Sequence, residues 1–375
     1  MAPEPARRLR VLLVTPDFPP EKGGIQILLT RIVENAPGLD LRVLTLGQPD
    51  SAAYDRELGA DVRRVADAGM DRRLAVVGLN ARSVGEAVRF RPDAILSGHV
   101  VASLGSLALR RALRIPLVQY VHADEFRVRA GLAGRVVRAA DATIAVSRYT
   151  REMTLGAGAP AERVRVILPG VDLPPELTIE RGSPPTLLTV ATMLFRYKGH
   201  DVVARALPLV RARVPDARWV VIGDGPFRPA VESAVAAYGL GDAVELLGRV
   251  SDEERNAWLD RANVFCMPSR VPAAGVGGEG FGSAYQEAGA RGMPALAGDV
   301  AGARDSVANG ETGLLIDPTD HLAVAGAAIE LLGDPQRAQE MGAAARRKAE
   351  GNSWPKVAAR VEEVLREVVS RRGGG

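Results

Sequence analysis

Two glutamates flank a glycine-rich turn in the segment GGEGFGSAYQEAGARGMP, residues 277–294. Glu279 precedes the turn, and Glu287 follows it in a stretch that has helical periodicity. Gly280 and Gly282 would let the backbone approach a ligand, and a helix that begins directly after them would point its unpaired amides at an anion. A carboxylate on each side can accept hydrogen bonds from vicinal hydroxyls. The pattern therefore predicts a hydroxyl receptor, a phosphate cradle and a second hydroxyl receptor, as a nucleotide sugar requires.

Two further glycine turns follow strand-like runs. In PDFPPEKGGIQ, residues 16–26, Gly23 and Gly24 stand between the first strand and a helix. In VIGDGPFR, residues 221–228, Gly223 opens a turn directly after a buried strand. Such turns admit a ligand close to the backbone, but each is equally consistent with an ordinary strand-to-helix connection. Neither has the G-x-G-x-x-G spacing of a dinucleotide site.

Two cations and two histidines also follow strands. Arg196 and Lys198, in FRYKGHD, suit a diphosphate, because arginine offers a planar fork and lysine a point charge; solvated loop charges are the alternative. We expect His122, in YVHADEF, to position substrate through hydrogen bonds rather than to act as a nucleophile. His99, in LSGHV, is interpreted as a structural histidine.

Short apolar runs alternate with longer amphipathic segments along the whole chain, which predicts an α/β fold with parallel strands buried on both faces. A proline-rich stretch at 173–185 interrupts the alternation and is interpreted as a linker. We expect two doubly wound, Rossmann-like domains, residues 1–172 and 186–353, facing a central cleft in which the ligand binds. A long amphipathic helix at 354–375 is expected to pack back on the N-terminal domain.

Composition restricts the class of protein further. With 375 residues, 47% hydrophobic and 25% charged, the chain suits a soluble globular protein of two domains. Its single cysteine, Cys266, excludes an intramolecular disulfide and is expected in a core strand. We find no signal peptide and no membrane-spanning run, which favours the cytoplasm. Aromatic residues make up only 4% and do not alternate with basic ones, so nucleic acid is a poor candidate partner.

Positive charge is concentrated toward the N-terminus. Residues 1–172 contain 25 basic and 19 acidic side chains, whereas the remainder contains 23 and 26. The difference indicates an anionic partner for the first half, or chance in a small number. Residues 126–140, FRVRAGLAGRVVRAA, contain four arginines and no acid, which predicts a basic amphipathic helix for an anionic membrane surface; a solvated helix face is the alternative.

Five ordered motifs now support a family resemblance: YKGHD, IGDGPFR, LGRVSDEE, EGFGSAYQEAGARGMPALAGDVAG and NGETGLLIDP. With them the chain resembles the retaining glycosyltransferases of family 4, which have the GT-B fold. The spacing of Glu279 and Glu287, E-x7-E, is that family's donor signature. The resemblance covers nearly the whole chain. Within the family, DFPP…GGIQ is most similar to the phosphatidylinositol mannoside mannosyltransferases.

The resemblance implies roles for the residues that match. The catalytic set is His122, Arg196, Lys198 and Glu279; the donor-binding set is Gly24, Gly223, Arg249, Val250, Glu279, Gly280, Phe281, Gly282 and Glu287; the acceptor-binding set is Gly23, Gly24 and Gln26. One departure concerns the diphosphate clamp. Many members have Gly-Arg where this chain has Thr192 or Met193, so the clamp would rest on Arg196 and Lys198 alone.

The implied reaction is transfer of a hexose, mannose or glucose, with retention of anomeric configuration. GDP-mannose is the favoured donor, and the acceptor is a lipid-linked or saccharide hydroxyl. No metal and no cofactor beyond the nucleotide-sugar cosubstrate is expected, and the chain has no Asp-x-Asp motif. The enzyme would be cytoplasmic, or peripheral on the inner face of the membrane. The alternatives are a UDP-sugar transferase acting on a small molecule or polysaccharide, a phosphorylase or epimerase of GT-B fold, and a non-catalytic nucleotide-sugar-binding protein.

Overall fold

The chain forms two compact units. One comprises Met1–Gly170 together with Trp354–Gly375, and the other is Val171–Ser353. The computed structural model describes residues 7–65, 69–174, 181–194, 196–271 and 278–373. Residues 175–180, the middle of the expected linker at 173–185, lie outside the described residues.

The first unit alternates strands and helices from its first residues. Its elements are β1 (Leu9–Val14), α1 (Gly24–Asn35), β2 (Leu39–Leu46), α2 (Ser51–Leu58), β3 (Asp61–Val65), α3 (Arg72–Phe90), β4 (Ala94–Ser97), α4 (Ser103–Ala112), β5 (Leu117–Val121), α5 (Ala123–Val128), α6 (Ala130–Ala139), β6 (Ala142–Ala145), α7 (Arg148–Gly156) and β7 (Val164–Val166). The strands pair in parallel in the order β3-β2-β1-β4-β5-β6-β7. Strands β4, β5 and β6 are buried at every position, because helices cover both faces of the sheet.

The second unit repeats the same plan. Its elements are β8 (Thr186–Val190), α8 (His200–Arg211), β9 (Arg218–Ile222), α9 (Arg228–Ala237), β10 (Val244–Gly248), α10 (Asp252–Arg261), β11 (Val264–Met267), α11 (Ser283–Ala290), β12 (Ala295–Gly298), α12 (Ala303–Ser306), β13 (Gly313–Ile316), α13 (His321–Gly333) and α14 (Pro335–Glu350). The strands are again parallel, in the order β10-β9-β8-β11-β12-β13. The prediction of two doubly wound, Rossmann-like domains is confirmed.

Each sheet has one point where the strand order reverses direction. In the first sheet this switch point lies between β1 and β4, and in the second it lies between β8 and β11. Connections leaving two such neighbours run to opposite faces of the sheet, which opens a crevice beyond their carboxyl ends. The loops that follow β1, β4, β8 and β11 are therefore where ligand-binding residues are expected.

The last helix, α15 (Trp354–Gly373), belongs to the first unit although it follows the second in sequence. It packs against α1. Val357, Val361 and Leu365 are fully buried along one side of it, at the i, i+4, i+8 spacing of a helix face. Arg366 on the same helix donates from Nη2 to the carbonyl of Gly38, 3.1 Å away.

The segment 126–140 differs from the prediction. The expected single basic helix is two helices, α5 and α6, interrupted at Arg129, whose φ of −140° and ψ of 41° are not helical. Its arginines are also partly engaged. Arg127 contacts Asp124 at 3.4 Å, and Arg138 donates to the carbonyl of Ala157 at 2.8 Å. The segment is therefore two short helices rather than one.

Cys266 lies in β11 and is fully buried, as predicted for a core strand. Burial raises the pKa of its thiol to about 12, so it stays protonated. Beside it, a hydrogen-bond chain crosses three strands. Trp219 Nε1 donates to Thr189 Oγ1 at 2.9 Å, and Thr189 Oγ1 donates to the carbonyl of Cys266 at 2.5 Å. These groups would otherwise be buried without partners.

A glycine requirement gives a test of the second unit. Gly223 has a φ of +135°, and a Cβ there would lie 2.0 Å from the carbonyl oxygen of Ala191. Gly223→Ala should therefore cost at least about 3 kcal/mol, because strain and a backbone clash add. Gly239→Ala is the matched control, since Gly239 has a φ of +64° and nothing within 4 Å of the added Cβ. It should cost about 1 kcal/mol. Equal losses of thermal stability would contradict the fold at this turn.

Candidate functional site

The switch point of the second sheet brings two of the predicted residues together. Lys198 follows β8, Glu279 follows β11, and Lys198 Nζ lies 2.6 Å from Glu279 Oε2. Their side chains are only 16% and 11% exposed. The sequence separates the two residues by 81 positions, but their strands are neighbours, so the loops meet. A predicted diphosphate cation and a predicted sugar receptor thus form one ion pair.

Arg196 is placed by residues that the sequence did not single out. Its guanidinium is 71% exposed, lies 3.2 Å from Asp201 and stands over the ring of Phe227 at 5.5 Å. Asp201, in the first turn of α8, also binds Arg270 Nη2 through both carboxylate oxygens, at 2.7 and 3.0 Å. The carboxylate therefore holds two arginines in place.

Arg270 in turn holds the backbone of the loop after β8. Its amide donates to the carbonyl of Tyr197 at 2.7 Å, and its Nη2 donates to the carbonyl of Arg196 at 3.0 Å. A signal for both missed residues was present in the sequence. Asp201 ends the FRYKGHD motif, and Arg270 follows a buried strand, where a charge indicates a site. Together they position Arg196 and fix the backbone just before Lys198.

The glycine turn before α11 is held by hydrogen bonds to its carbonyl oxygens. Gly302 N donates to the carbonyl of Glu279 at 3.0 Å, and Ser306 Oγ donates to the carbonyl of Phe281 at 2.5 Å. The fit is close, because a Cβ at Gly302 would lie 2.2 Å from the carbonyl oxygen of Gly280. The Phe281 side chain is buried. With these carbonyls occupied, the turn is rigid.

Helix α11 begins at Ser283, where the sequence predicted a helix start. Gly282 caps it with a φ of +87°, and a Cβ there would lie 2.4 Å from the ring of Tyr285, so only glycine fits. The amides of the first helical turn have no acceptor within the helix and form an electropositive end. Tyr285 anchors this end by donating from its hydroxyl to the carbonyl of Met267 at 2.5 Å.

Glu287 lies one turn further along α11 and is oriented toward α10. Its Oε2 is 3.1 Å from Nη1 of Arg255, and the two side chains are about one-third exposed. Burial raises the pKa of Glu287, and the charge of Arg255 opposes that shift. The carboxylate therefore keeps a defined direction while one side of it reaches solvent.

The remaining predicted donor residues of the second unit lie beyond β9 and β10. Gly223 joins β9 to the turn before α9, and its amide donates to the carbonyl of Gly248 at 2.7 Å. Arg249 and Val250 directly follow β10. Arg249 is exposed, whereas Val250 packs against the apolar core. These residues lie at the same edge of the sheet as Lys198. Gly223 is two strands away from β11, which precedes Glu279, and Arg249 and Val250 are three strands away.

In the first unit, the predicted acceptor residues form the start of α1 after β1. Gly23 caps the helix, and Gly24 is its first residue. A Cβ at Gly23 would lie 2.4 Å from Oε1 of Gln26, so the glutamine side chain folds back over the cap. A Cβ at Gly24 would meet nothing within 4 Å. Space is therefore open beside Gly24.

His122 caps α5 and is held by the buried carboxyl group of Glu125. The His122 amide donates to Glu125 Oε2 at 2.7 Å, and the Val100 amide donates to Glu125 Oε1 at 2.8 Å. Glu125 thereby ties the loop after β4 to the loop after β5. His122 Nε2 lies 3.2 Å from the carbonyl of Gly98. Donation to that carbonyl makes Nδ1 the acceptor nitrogen of the neutral ring.

The charges in this part of the first unit are set by burial. Burial, together with the nearby His99, lowers the pKa of His122 to about 4. Burial also lowers the pKa of His99 to about 4, so both rings are neutral at pH 7. His99 accepts from the Val101 amide through Nδ1 at 3.2 Å, which fits the predicted structural role. Burial raises the pKa of Glu125 to about 8.

Solved structures define the fold. Sucrose-phosphate synthase of Thermosynechococcus elongatus superposes with a TM-score of 0.78 over 97% of this chain and 100% of that one, at 19% identity. HepE of Anabaena, solved with UDP-glucose, superposes with a TM-score of 0.75 over 96% of this chain and 100% of that one, also at 19% identity. The fold is therefore the GT-B fold of glycosyltransferases.

Family models cover both units. The model described as Glycosyltransferase Family 4 matches residues 22–174, and the model described as Glycosyl transferases group 1 matches residues 178–348. The chain belongs to glycosyltransferase family 4, as the motif order predicted. Within the described ranges, no group of three or more His, Cys, Asp or Glu side chains could hold a metal ion.

Two curated relatives align along almost their whole length. A GDP-mannose-dependent alpha-(1-6)-phosphatidylinositol monomannoside mannosyltransferase of Mycolicibacterium smegmatis is 34% identical, covering 95% of this chain and 98% of its own. A GDP-mannose-dependent monoacylated alpha-(1-6)-phosphatidylinositol monomannoside mannosyltransferase of Corynebacterium glutamicum is 28% identical, covering 95% and 97%. None of the helices in the described part of this chain is long and apolar enough to span a bilayer.

The buried carboxyl of Glu125 predicts how stability changes with pH. Its pKa is raised from 4.5 to about 8 in the folded chain, so the folded state holds a proton that the unfolded state releases. Its contribution is present below pH 4.5 and is lost as pH rises through about 8. The two histidines act in the opposite direction, but only between about pH 4 and 6.5.

Between pH 6.5 and 8, the free energy of unfolding should therefore fall by up to about 1.4 kcal/mol per pH unit. Glu125→Gln should remove this slope, and below pH 4.5 it should lower stability, because an amide cannot accept both backbone N–H groups. Denaturant unfolding at a series of pH values measures both quantities. An unfolding free energy that stays constant or rises across this range in the native chain would contradict the assignment.

Proposed function

We propose that this protein is a retaining mannosyltransferase that uses GDP-mannose and transfers mannose to a hydroxyl of a lipid-linked, inositol-containing glycan. The observation that carries the proposal is the 34% identity, over both units, to a GDP-mannose-dependent transferase acting on a phosphatidylinositol monomannoside. The site geometry supports it, because the acids and cations that a nucleotide sugar needs lie at one edge of the second sheet.

The second unit binds the donor. Glu279 accepts hydrogen bonds from hydroxyls of the mannose, and Glu287 accepts them from the ribose. The amides at the start of α11, near Phe281 and Gly282, receive the phosphate. Gly223 leaves room for the nucleotide beside β9. The backbone at Arg249 and Val250 meets the base, which fits their position beyond the end of β10.

The chemical step breaks the bond between the anomeric carbon of mannose and the diphosphate oxygen. Negative charge develops on the departing GDP, and Arg196, Lys198 and the α11 amides stabilise it. The acceptor oxygen bonds to the anomeric carbon on the face that GDP leaves, so configuration is retained. The acceptor proton passes to the leaving phosphate. Both glutamates therefore recognise the donor rather than transfer protons, and the reaction needs no cofactor beyond the donor.

The first unit binds the acceptor through Gly23, Gly24 and Gln26, at the loop that follows β1. His122 contacts the reacting sugar. Its ring is neutral at pH 7, and Nε2 donates to the carbonyl of Gly98, which fixes the orientation of the ring. This is a positioning role, as the sequence predicted. An acceptor carried on a lipid would place the enzyme in the cytoplasm at the inner face of the membrane.

Turnover tests the proposal. The purified protein should transfer mannose from GDP-mannose, but not glucose from UDP-glucose, to a phosphatidylinositol monomannoside. NMR of the product should show the anomeric configuration of the donor. Transfer that requires UDP-glucose would contradict the donor, and inversion would contradict the mechanism. Lys198→Ala should lower kcat by about 100-fold or more, since one stabilising charge is lost.

Lys198→Arg is the control for that variant. It keeps the positive charge near the diphosphate and should retain part of the activity that the alanine variant loses. Lys198→Arg should unfold at a temperature close to that of the native chain, whereas Lys198→Ala should unfold at a lower one, because it leaves the mostly buried Glu279 carboxylate without its partner. A Lys198→Ala protein that is folded and turns over at the native rate would remove Lys198 from the catalytic set.

A further inference from the structure

The second unit contains a cavity that the proposed reaction does not use. Its volume is about 420 Å³, and we call it the α10 cavity because the C-terminal end of α10 forms one wall. The starts of β8, β9 and β10 form the opposite wall, at Thr186, Arg218 and Glu245. The predicted donor residues follow the carboxyl ends of strands, so the α10 cavity lies at the other edge of the sheet. Its size falls within the range of about 300–1,000 Å³ that small-molecule sites occupy.

The strand register brings the charged side chains of this wall to one face. Thr186 of β8 is paired with Arg218 of β9, and Val220, two residues further on, is paired with Glu245 of β10. Residues two apart on a strand share a face of the sheet, and so do residues paired between parallel strands. Val220 packs in the same apolar cluster as Leu259 of α10, so this is the face that α10 covers. Arg218 and Glu245 therefore lie on neighbouring strands under the end of α10.

Helix α10 contributes an aromatic ring and a third charge. Trp258 and Arg261 are three residues apart at its C-terminal end, and both line the cavity. The Arg261 guanidinium stacks on the Trp258 ring, with its central carbon 3.4 Å from the ring centroid. A guanidinium that stacks in this way keeps its N–H groups, which lie in its plane, available for hydrogen bonds. This wall therefore offers an apolar surface beside several hydrogen-bond donors.

The charged side chains of the α10 cavity are available to a ligand. Among the described residues, none forms an ion pair with Arg218, Arg261 or Glu245, and all three side chains are exposed. Asp242, the other acid of the lining, differs, because Arg211 binds both of its carboxylate oxygens at 3.0 and 2.9 Å. The cavity therefore presents two groups of donors and one carboxylate acceptor.

These groups favour a saccharide over other ligands. A sugar hydroxyl both donates and accepts, so neighbouring hydroxyls can bind the Glu245 carboxylate and the two guanidinium groups together. An anion would be attracted by the arginines but repelled by Glu245. An apolar molecule would cover three charges without giving them partners. The Trp258 ring supplies the apolar contact that the C–H face of a sugar ring needs.

The walls of the α10 cavity are held in place by the protein itself. Arg181, in the linker, donates from Nη1 to the carbonyls of Leu259 and Ala262 at 3.1 and 2.9 Å, and so fixes the end of α10. The Gly182 amide donates to the carbonyl of Arg261 at 2.7 Å, which joins the linker to the same helix end. Because the cavity is already formed, a ligand that enters it loses little free energy to ordering of the protein.

We propose that the α10 cavity is a saccharide-binding site, separate from the donor and acceptor sites, that takes one or two sugar rings. Glu245 accepts hydrogen bonds from neighbouring hydroxyls, Arg218 and Arg261 donate to other sugar oxygens, and Trp258 packs against the ring. The proposal goes beyond the proposed function, since it requires no nucleotide, no lipid and no transfer. For an enzyme that acts on a glycan, such a site adds a second point of attachment and so raises the effective concentration of the glycan.

Titration with two disaccharides tests the proposal. Mannobiose is one probe, because the proposed function makes mannosides, and maltose is the other, so that the site is tested independently of that function. Calorimetry should show saturable binding of at least one of them, with the same affinity in the presence and absence of saturating GDP. Tryptophan emission should change over the same concentrations, because Trp219 and Trp258 line the cavity, whereas Trp354, the third tryptophan, lies in the first unit. Trp258→Phe should remove most of that change.

Two variants and a matched control locate the binding. Glu245→Ala and Arg218→Ala should each weaken binding of the disaccharide about tenfold, since each removes charge-assisted hydrogen bonds. Both side chains are exposed, so both variants should fold. Glu311→Ala is the control, because Glu311 is an exposed glutamate of the same unit outside the cavity, and it should bind normally.

Four results would overturn the proposal. Native affinity in both alanine variants would place the saccharide elsewhere, and competition by GDP would place it in the donor site. Failure of both disaccharides to bind the native chain would exclude a saccharide. Inorganic phosphate that changes the Trp258 emission when the disaccharides do not would identify an anion site instead.

Calorimetry with GDP-mannose keeps this proposal separate from the proposed function. Glu245→Ala and Arg218→Ala should bind GDP-mannose as the native chain does, because neither residue lies at the donor edge of the sheet. A native chain that binds a disaccharide in the α10 cavity but does not bind GDP-mannose would contradict the proposed function and leave the saccharide site supported.

Discussion

The ion pair between Lys198 and Glu279 joins the two loops that border the switch point of the second sheet. A mostly buried ion pair contributes little net stability, since desolvation of both charges offsets their attraction. The ion pair instead fixes the positions of the two side chains. Each charge holds the other where a ligand would need it, so a donor that brings both a diphosphate and hydroxyls can satisfy the two partners at once. Arg270 binds both Asp201 and the carbonyl of Arg196, so the backbone that carries Arg196 is fixed as well.

The two units hold their binding loops in place by different interactions. In the second unit, Gly223 and Gly302 bring backbone against backbone, Gly282 makes room for the ring of Tyr285, and the turn before α11 leaves amides for an anion. In the first unit, the buried carboxyl group of Glu125 accepts hydrogen bonds from the amides of Val100 and His122 and so aligns the ends of β4 and β5. Both arrangements lie where parallel strands end, because that edge is where covered sheets leave loops available for binding.

Much of this could be predicted from the sequence. Buried runs alternating with amphipathic segments indicated the two parallel sheets, and the glycine pattern placed the start of α11 at Ser283. Pairing between distant residues could not be predicted, because it depends on strand order. The contact of Lys198 with Glu279, and of Arg270 with Asp201, follows only from β8 lying beside β11.

The most direct test of whether the Glu279 carboxylate recognises the donor sugar is calorimetric titration of Glu279→Gln with GDP and with GDP-mannose. The native chain should bind GDP-mannose more tightly than GDP. The variant should lose that preference, while its affinity for GDP stays the same or rises, because Lys198 no longer shares its charge with the carboxylate. An unchanged preference for GDP-mannose, or an equal loss of affinity for both ligands, would contradict the account.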